Sequence, residues 1–158
     1  MAAKKNEITA QASVTLRPVN ADTVGAVCAL SDTLSETKKK FVANNAFSIA
    51  QAHFEPKAWF RAVYADAEPV GFIMLFDDSE KPEYFLWRFM IAQPYHGWGF
   101  GRRAIELLVD YVKTRPGVRE LLVSCVLGAG GPVEFYEKCG FVRNGETYGE
   151  EIGLAMVL

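Results

Sequence analysis

FLWRFMIAQPYHGWGFG, residues 85–101, decides the fold of this chain. It opens as an apolar run of strand length, passes through a turn with glycine at 97, 99 and 101, and continues into a segment over 101–114. There Ala104, Ile105, Leu108, Val109 and Val112 recur at helical spacing before Pro116-Gly117 stops the helix. A strand feeding a helix through glycines is a device for holding an anion. The first turn of a helix has N–H groups without intrahelical partners, and the helix dipole adds partial positive charge there. Glycine lets the backbone approach a ligand with no Cβ in the way. Arg102 and Arg103 add full positive charge at the mouth. The segment therefore points to a phosphate-bearing ligand. It is not a P-loop, because no Lys-Ser or Lys-Thr follows the last glycine, and GxGxG lacks the third glycine of a dinucleotide fingerprint.

His96-Gly97-Trp98-Gly99-Phe100-Gly101 resembles the acyl-CoA signature Q/R-x-x-G-x-G/A of the GNAT acetyltransferases, with His96 in place of the usual Gln or Arg. The resemblance implies acetyl-CoA as co-substrate. Its cofactor-binding residues would be Phe89, Met90 and Ile91 on the strand, 96–101 in the turn, and Arg102 and Arg103 on the helix. A second segment, Gly130-Gly131-Pro132-Val133-Glu134-Phe135-Tyr136-Glu137-Lys138-Cys139-Gly140-Phe141, resembles the late family helix that ends F-Y-x-x-x-G-F. Pro132 suits its first position and Gly140 the left-handed residue past its end. Tyr136 resembles the tyrosine that protonates the departing CoA thiolate. Where relatives often carry an Asn near position 129, this chain has Leu127-Gly128-Ala129-Gly130-Gly131. Backbone contacts from Ala129, Gly130 and Gly131 would substitute.

Composition bounds the rest. At 158 residues, half of them hydrophobic, the chain suits one domain with a substantial core. Net charge is −2, from 17 basic and 19 acidic residues, so no overall field recruits nucleic acid. No apolar run approaches the about 18 residues of a membrane span, and no signal-peptide pattern opens the chain. Cys28, Cys125 and Cys139 are odd in number and lack CxxC spacing, and they read as buried thiols in a reducing cytoplasm. With only His53 and His96, no metal site is expected.

Along the chain, residues 1–12 read as a flexible, polar N-terminal segment and 13–158 as a single domain. Strands are expected over 13–17, 59–64, 70–76, 84–91, 121–126, 141–142 and 152–158. Asp66-Ala67-Glu68-Pro69 would turn a hairpin. A helix capped by Asp22 would run through Leu30, and short helices joined at Asn44-Asn45 would fill 35–54. The order β-α-α-β-β-β-α-β-α-β-β makes an α/β fold. It is a mixed sheet of about seven strands flanked by about four helices, the order of the GNAT acyl-CoA N-acyltransferase fold.

Amine acetylation needs a polarised thioester carbonyl. The resemblance assigns that to a backbone N–H at Met90 or Ile91. Positions where some relatives carry a glutamate base hold Phe85 or Trp87, so deprotonation through water or from bulk is expected. Within the superfamily the chain most resembles the bacterial spermidine/spermine (diamine) branch. The similarity lies in Phe41-Val42-Ala43-Asn44-Asn45, Ser48-Ile49-Ala50-Gln51-Ala52, Leu86-Trp87-Arg88-Phe89-Met90-Ile91 and Gly149-Glu150-Glu151-Ile152. A polycationic acceptor calls for carboxylates and aromatic faces, and the candidates are Glu36, Glu83, Tyr84, Trp87 and Glu151. Arg88 is expected on the face opposite Trp87, paired with a buried carboxylate. Lys38-Lys39-Lys40 reads as a solvated face or as a neighbour of the CoA 3′-phosphate. An aminoglycoside-type or peptide amine as acceptor, and a non-catalytic acetyl-CoA sensor, are the alternatives. By analogy with the family a homodimer through 141–158 is expected, with no nucleic-acid or membrane partner.

Overall fold

The computed structural model describes residues 7–158. Strands β1 (Val14–Arg17), β2 (Ala58–Ala65), β3 (Glu68–Asp78), β4 (Glu83–Ile91), β5 (Glu120–Val126), β6 (Val142–Tyr148) and β7 (Glu151–Val157) form one sheet. Helices α1 (Val24–Ala29), α2 (Asn45–His53), α3 (Phe100–Lys113) and α4 (Val133–Cys139) flank it. The sheet order is β1-β2-β3-β4-β5-β7-β6, antiparallel throughout except for the parallel pair β4–β5. This is the expected element order and the expected mixed α/β sheet.

The two faces bury separate cores. On one, α3 presents Phe100, Ala104, Ile105, Leu108 and Val112 to Ile73, Leu75, Leu86 and Leu121, with Val133 and Tyr136 of α4 beside them. On the other, Val27 of α1 and the partly buried Ile49 and Ala52 of α2 cover Phe72, Met74 and Met90. Removing such apolar surface from water contributes about 25 cal/mol per Å², so each large buried side chain adds roughly 1.5–3 kcal/mol.

Several local expectations shift. The residue that caps α1 is Thr23, not Asp22, and its side chain makes no cap bond to the helix; in the turn before it, Asn20 Oδ1 accepts from the N–H groups of Asp22 and Thr23. The β2–β3 turn is tighter than expected, two residues with Asp66 at φ 51. Pro69 is tolerated within β3 because it faces a register shift at Val63/Tyr64, where no regular ladder bond is lost. β6 runs seven residues, far beyond 141–142. It is an edge strand with every residue exposed, so no apolar alternation marks it. Residues 1–6 of the expected loose N-terminus lie outside the described residues. Within 7–12, Ala12 is buried, and the carbonyls of Ala10 and Ala12 each accept from the Arg103 guanidinium at 2.7 Å.

At the far end of α3, Tyr111 donates to Asp77 at 2.6 Å, Arg115 to the same carboxylate at 2.9 Å, and Trp59 stacks on Tyr111 with centroids 4.4 Å apart. Burial, reinforced by the Asp77 bond, pushes the Tyr111 phenol from 10.0 up to about 12. The folded state then holds this proton more tightly than the unfolded chain. Stability from this group is full below pH 10 and falls as pH rises toward 12. Tyr111→Phe is expected to flatten that alkaline decline, read as Tm against pH.

Candidate functional site

β4 and β5 pair at Phe85 with Leu122 and at Leu86 with Val123, and the ladder ends there. From Trp87 onward the strands splay and leave one edge of β4 without a strand partner. A bulge marks the point of divergence. Met74 faces Arg88 and Leu75 faces Leu86, so Trp87 is the extra residue, and a bulged strand bends away. The Ala92 N–H donates to the Val70 carbonyl on the β3 side. Antiparallel alternation therefore turns the peptide groups of Met90 toward β3 and those of Phe89 and Ile91 toward the gap. Of the two amides expected to polarise a carbonyl, Ile91 faces the gap and Met90 does not.

The gap opens into a cavity of about 1070 Å³ that runs from the start of α3 to the start of β7. At one end Gly97 and Gly99 hold φ of 82° and 81°, which glycine adopts freely, and a Cβ at either would meet nothing within 4 Å. Gly99 caps α3 with no side-chain hydrogen bond, so the first-turn amides open outward, as an anion requires. Arg102 lines this end. A phosphate-bearing acyl donor fits these residues, with Phe100–Arg102 amides for its pyrophosphate and the β4 edge for its arm.

The other expected donor-site residues divide. His96 lines the cavity, but its Nε2 meets the Ile91 carbonyl. A carbonyl only accepts, so Nε2 carries the proton and the ring holds the turn against the strand. Phe89, Met90, Ile91, Gly130 and Gly131 line the cavity. Phe100 also borders it, yet its ring is fully buried in the core. Arg103 turns away to the carbonyls of Ala10 and Ala12 and sits 5.0 Å over the Phe100 ring, so it clamps the N-terminal segment. Trp98 packs on Tyr95 and Phe100 outside the lining, and Ala129 is exposed outside it.

Tyr136 lines the cavity with a ring only 6% exposed, and its hydroxyl has no hydrogen-bond partner among the described residues. Burial pushes its phenol well above the usual range, with Cys125 and Cys139 close by. The hydroxyl therefore stays protonated at neutral pH.

At the acceptor end, Trp87 and Glu151 line the cavity as expected. The other three candidates lie elsewhere. Tyr84 points to the α3 face, is 1% exposed and donates to the Pro116 carbonyl. Alternation before the bulge sets it opposite to Phe85 and Trp87. Glu83 is exposed at the start of β4, beside Asp78. Glu36 reaches solvent and pairs with Lys39.

Arg88 also departs from expectation. The bulge brings it to the side of Trp87, 5.4 Å from that ring. It donates to the Trp87 carbonyl at 3.0 Å and to Gln51 of α2 at 3.1 Å, and among the described residues no carboxylate lies within ion-pair distance, although the charge of Glu151 acts on it from farther away. Its Nε is buried without a partner among the described residues, and burial lowers the guanidinium pKa.

Several lining residues were not among the expected site residues. Phe85 and Tyr148 meet edge-to-face at 5.6 Å, and the Ser124 hydroxyl donates to Glu151 Oε2 at 3.0 Å. Phe135 stacks on Phe89 with centroids 5.8 Å apart. Phe41 lies against Gly131, where a Cβ would come within 2.9 Å of its ring. The glycine run at 128–131 is the signal for that close approach. Lys38, Lys39 and Lys40 line the cavity instead of forming a purely solvated face.

Among the described residues no cluster of three His, Cys, Asp or Glu side chains is placed to hold a metal ion, and no helix is long and apolar enough to cross a membrane.

No curated protein matches the chain. Among solved structures it is similar to an acetyltransferase from Thermus thermophilus (TM-score 0.75, 16% identity, covering 92% of this chain and 97% of that one). It is similar to a chimaera of the spermidine N-acetyltransferase SpeG from Vibrio cholerae and hSSAT (TM-score 0.68, 18% identity, 91% and 94% covered). A third is the microcin C7 self-immunity acetyltransferase MccE in complex with acetyl-CoA and AMP (TM-score 0.74, 14% identity, 94% of each chain). At these identities the likeness shows the fold. The profile of the Acetyltransferase (GNAT) family matches residues 28–141, and with most of its length so covered, the chain belongs to the GNAT family of acetyltransferases.

Proposed function

We propose that this acetyltransferase moves the acetyl group of acetyl-CoA to a primary amine of a small acceptor by direct attack. The observation that carries the reading is the splay of β4 from β5, which leads from the open α3 amides past Ile91 to Tyr136. Bound acetyl-CoA supplies the activated acetyl thioester. The Ile91 or Phe89 N–H polarises the carbonyl oxygen as negative charge builds there. Tyr136, held protonated by burial, donates to the sulfur leaving group. The hydrophobic walls exclude water and so strengthen these interactions.

A polyamine of the spermidine type is the acceptor that the sequence resemblance favours. The aromatic faces of Phe85, Trp87 and Tyr148 with Glu151 support it. A second reading has its own observation. Arg88 faces the cavity without an ion pair, and an acceptor that also carries a carboxylate would supply one.

Free-thiol release from acetyl-CoA distinguishes these, measured across spermidine, spermine, putrescine, an aminoglycoside, free amino acids and a short peptide. Saturable release with the polyamines alone supports the polyamine acceptor. Release only with carboxylate-bearing amines moves the acceptor to the second class. Tight acetyl-CoA binding with no release from any amine contradicts the transfer itself.

A further inference from the structure

We propose that Glu151 is the general base of the transfer, taking the proton from the acceptor nitrogen as that nitrogen bonds to the thioester carbon. The inference rests on the amine acetylation proposed above.

Glu151 is the one carboxylate among the described residues that line the cavity. It opens β7, paired with Val126 on one side and Tyr148 on the other, so the sheet fixes its backbone. Ser124 donates to Oε2 at 3.0 Å, which orients the carboxylate, and Oε1 has no hydrogen-bond partner among the described residues. His96 also lines the cavity, its ring held by the bond from Nε2 to the Ile91 carbonyl.

The surroundings favour a base here. Arg88 of β4, Arg102 of α3 and Lys38, Lys39 and Lys40 line the same cavity; Lys39 pairs with Glu36 and Arg102 with Glu106, and none forms an ion pair with Glu151 within 4.0 Å. Tyr95, His96, Cys125 of β5, Tyr136 of α4 and Tyr148 of β6 are the other titratable groups that line the cavity. Positive charge along the cavity disfavours an ammonium and favours the neutral amine that attacks. A single carboxylate there is where the released proton goes.

In the step, the nitrogen lone pair forms the N–C bond and the carbonyl π pair moves to oxygen. The N–H proton passes to Glu151 Oε1, directly or through one water. The oxyanion pair then re-forms the C=O bond as the C–S bond breaks with its electron pair on sulfur, which takes the Tyr136 proton. Glu151 releases its proton to solvent and Tyr136 regains one, so the cycle closes with an amide and a free thiol.

Glu151→Gln tests this, assayed with acetyl-CoA and the amine that the wild type turns over. A fall in kcat of about 10²- to 10⁴-fold is expected, with acetyl-CoA affinity and the amine KM kept. Unchanged kcat with a raised amine KM would overturn the proposal, because the carboxylate would then only bind. Should Glu151→Gln fail to fold by circular dichroism, Glu151→Asp is read instead. A lowered kcat with the amine KM kept supports the base, and a wild-type kcat overturns it. A wild type that releases no thiol with any amine overturns the acetyl transfer, and this inference with it.

Discussion

With Tyr136 replaced by Phe, kcat is expected to fall about 10²- to 10⁴-fold while acetyl-CoA binding is kept. The substitution deletes one oxygen and leaves the ring that packs against Phe135 and Phe141 at 5.4 and 5.5 Å. The fold should therefore hold, since volume-conserving changes in a core cost little. The hydroxyl is the only part removed, and in the structure it makes no hydrogen bond that would hold α4 in place. A burial-raised phenol suits a donor to a thiolate, because it keeps its proton until a strong base forms beside it. Stopped-flow thiol release separates chemistry from binding. Normal turnover in Tyr136→Phe would remove this residue from the mechanism.

The second large effect is expected at Gly99. It caps α3 at φ 81 and ψ 4, a left-handed conformation that a β-branched residue adopts only under strain. Gly99→Val should rotate the first-turn amides out of line and place methyl groups in the open space above them. Losing one charge-assisted hydrogen bond costs about 1.5–3 kcal/mol, so acetyl-CoA affinity should fall about 10- to 150-fold. Isothermal titration measures this. An unchanged Kd would mean that the anion sits elsewhere.

The donor half of the site is legible in the sequence because its chemistry is local. A run from 85 to 101 contains strand, glycine turn and helix together, and the apolar face of 101–114 fixes which side of α3 meets the sheet. The acceptor half depends on a bulge that no periodicity announces. One inserted residue at Trp87 moves Arg88 beside the tryptophan and reverses which residues of β4 face the cavity. Tyr84 and Glu83 precede the bulge: Tyr84 falls outside the cavity because regular alternation turns it to the α3 face, and Glu83 because it sits exposed at the start of β4. Arg103 follows α3 but turns back to residues 10 and 12, a contact across the fold that spacing does not encode. Glu151 is marked in the sequence by a resemblance alone, and its pairing with Ser124 emerges only when β7 inserts between β5 and β6.

Asp78 shows the same limit. It is 2% exposed and bonded to Lys57 at 2.6 Å, and that bond holds its carboxyl below the usual range. Its stabilising contribution is present at neutral pH and is lost as pH falls through the lowered pKa. Asp78→Asn should lower Tm at neutral pH and weaken the acid dependence, as thermal melts across pH would show.

Amide hydrogen exchange with and without acetyl-CoA tests the central claim most directly. Slowed exchange at Phe89, Ile91 and the amides from Gly97 to Arg102 is the predicted result, since those groups face the gap and the open end of α3. Binding of acetyl-CoA with no protection at these positions would contradict the account.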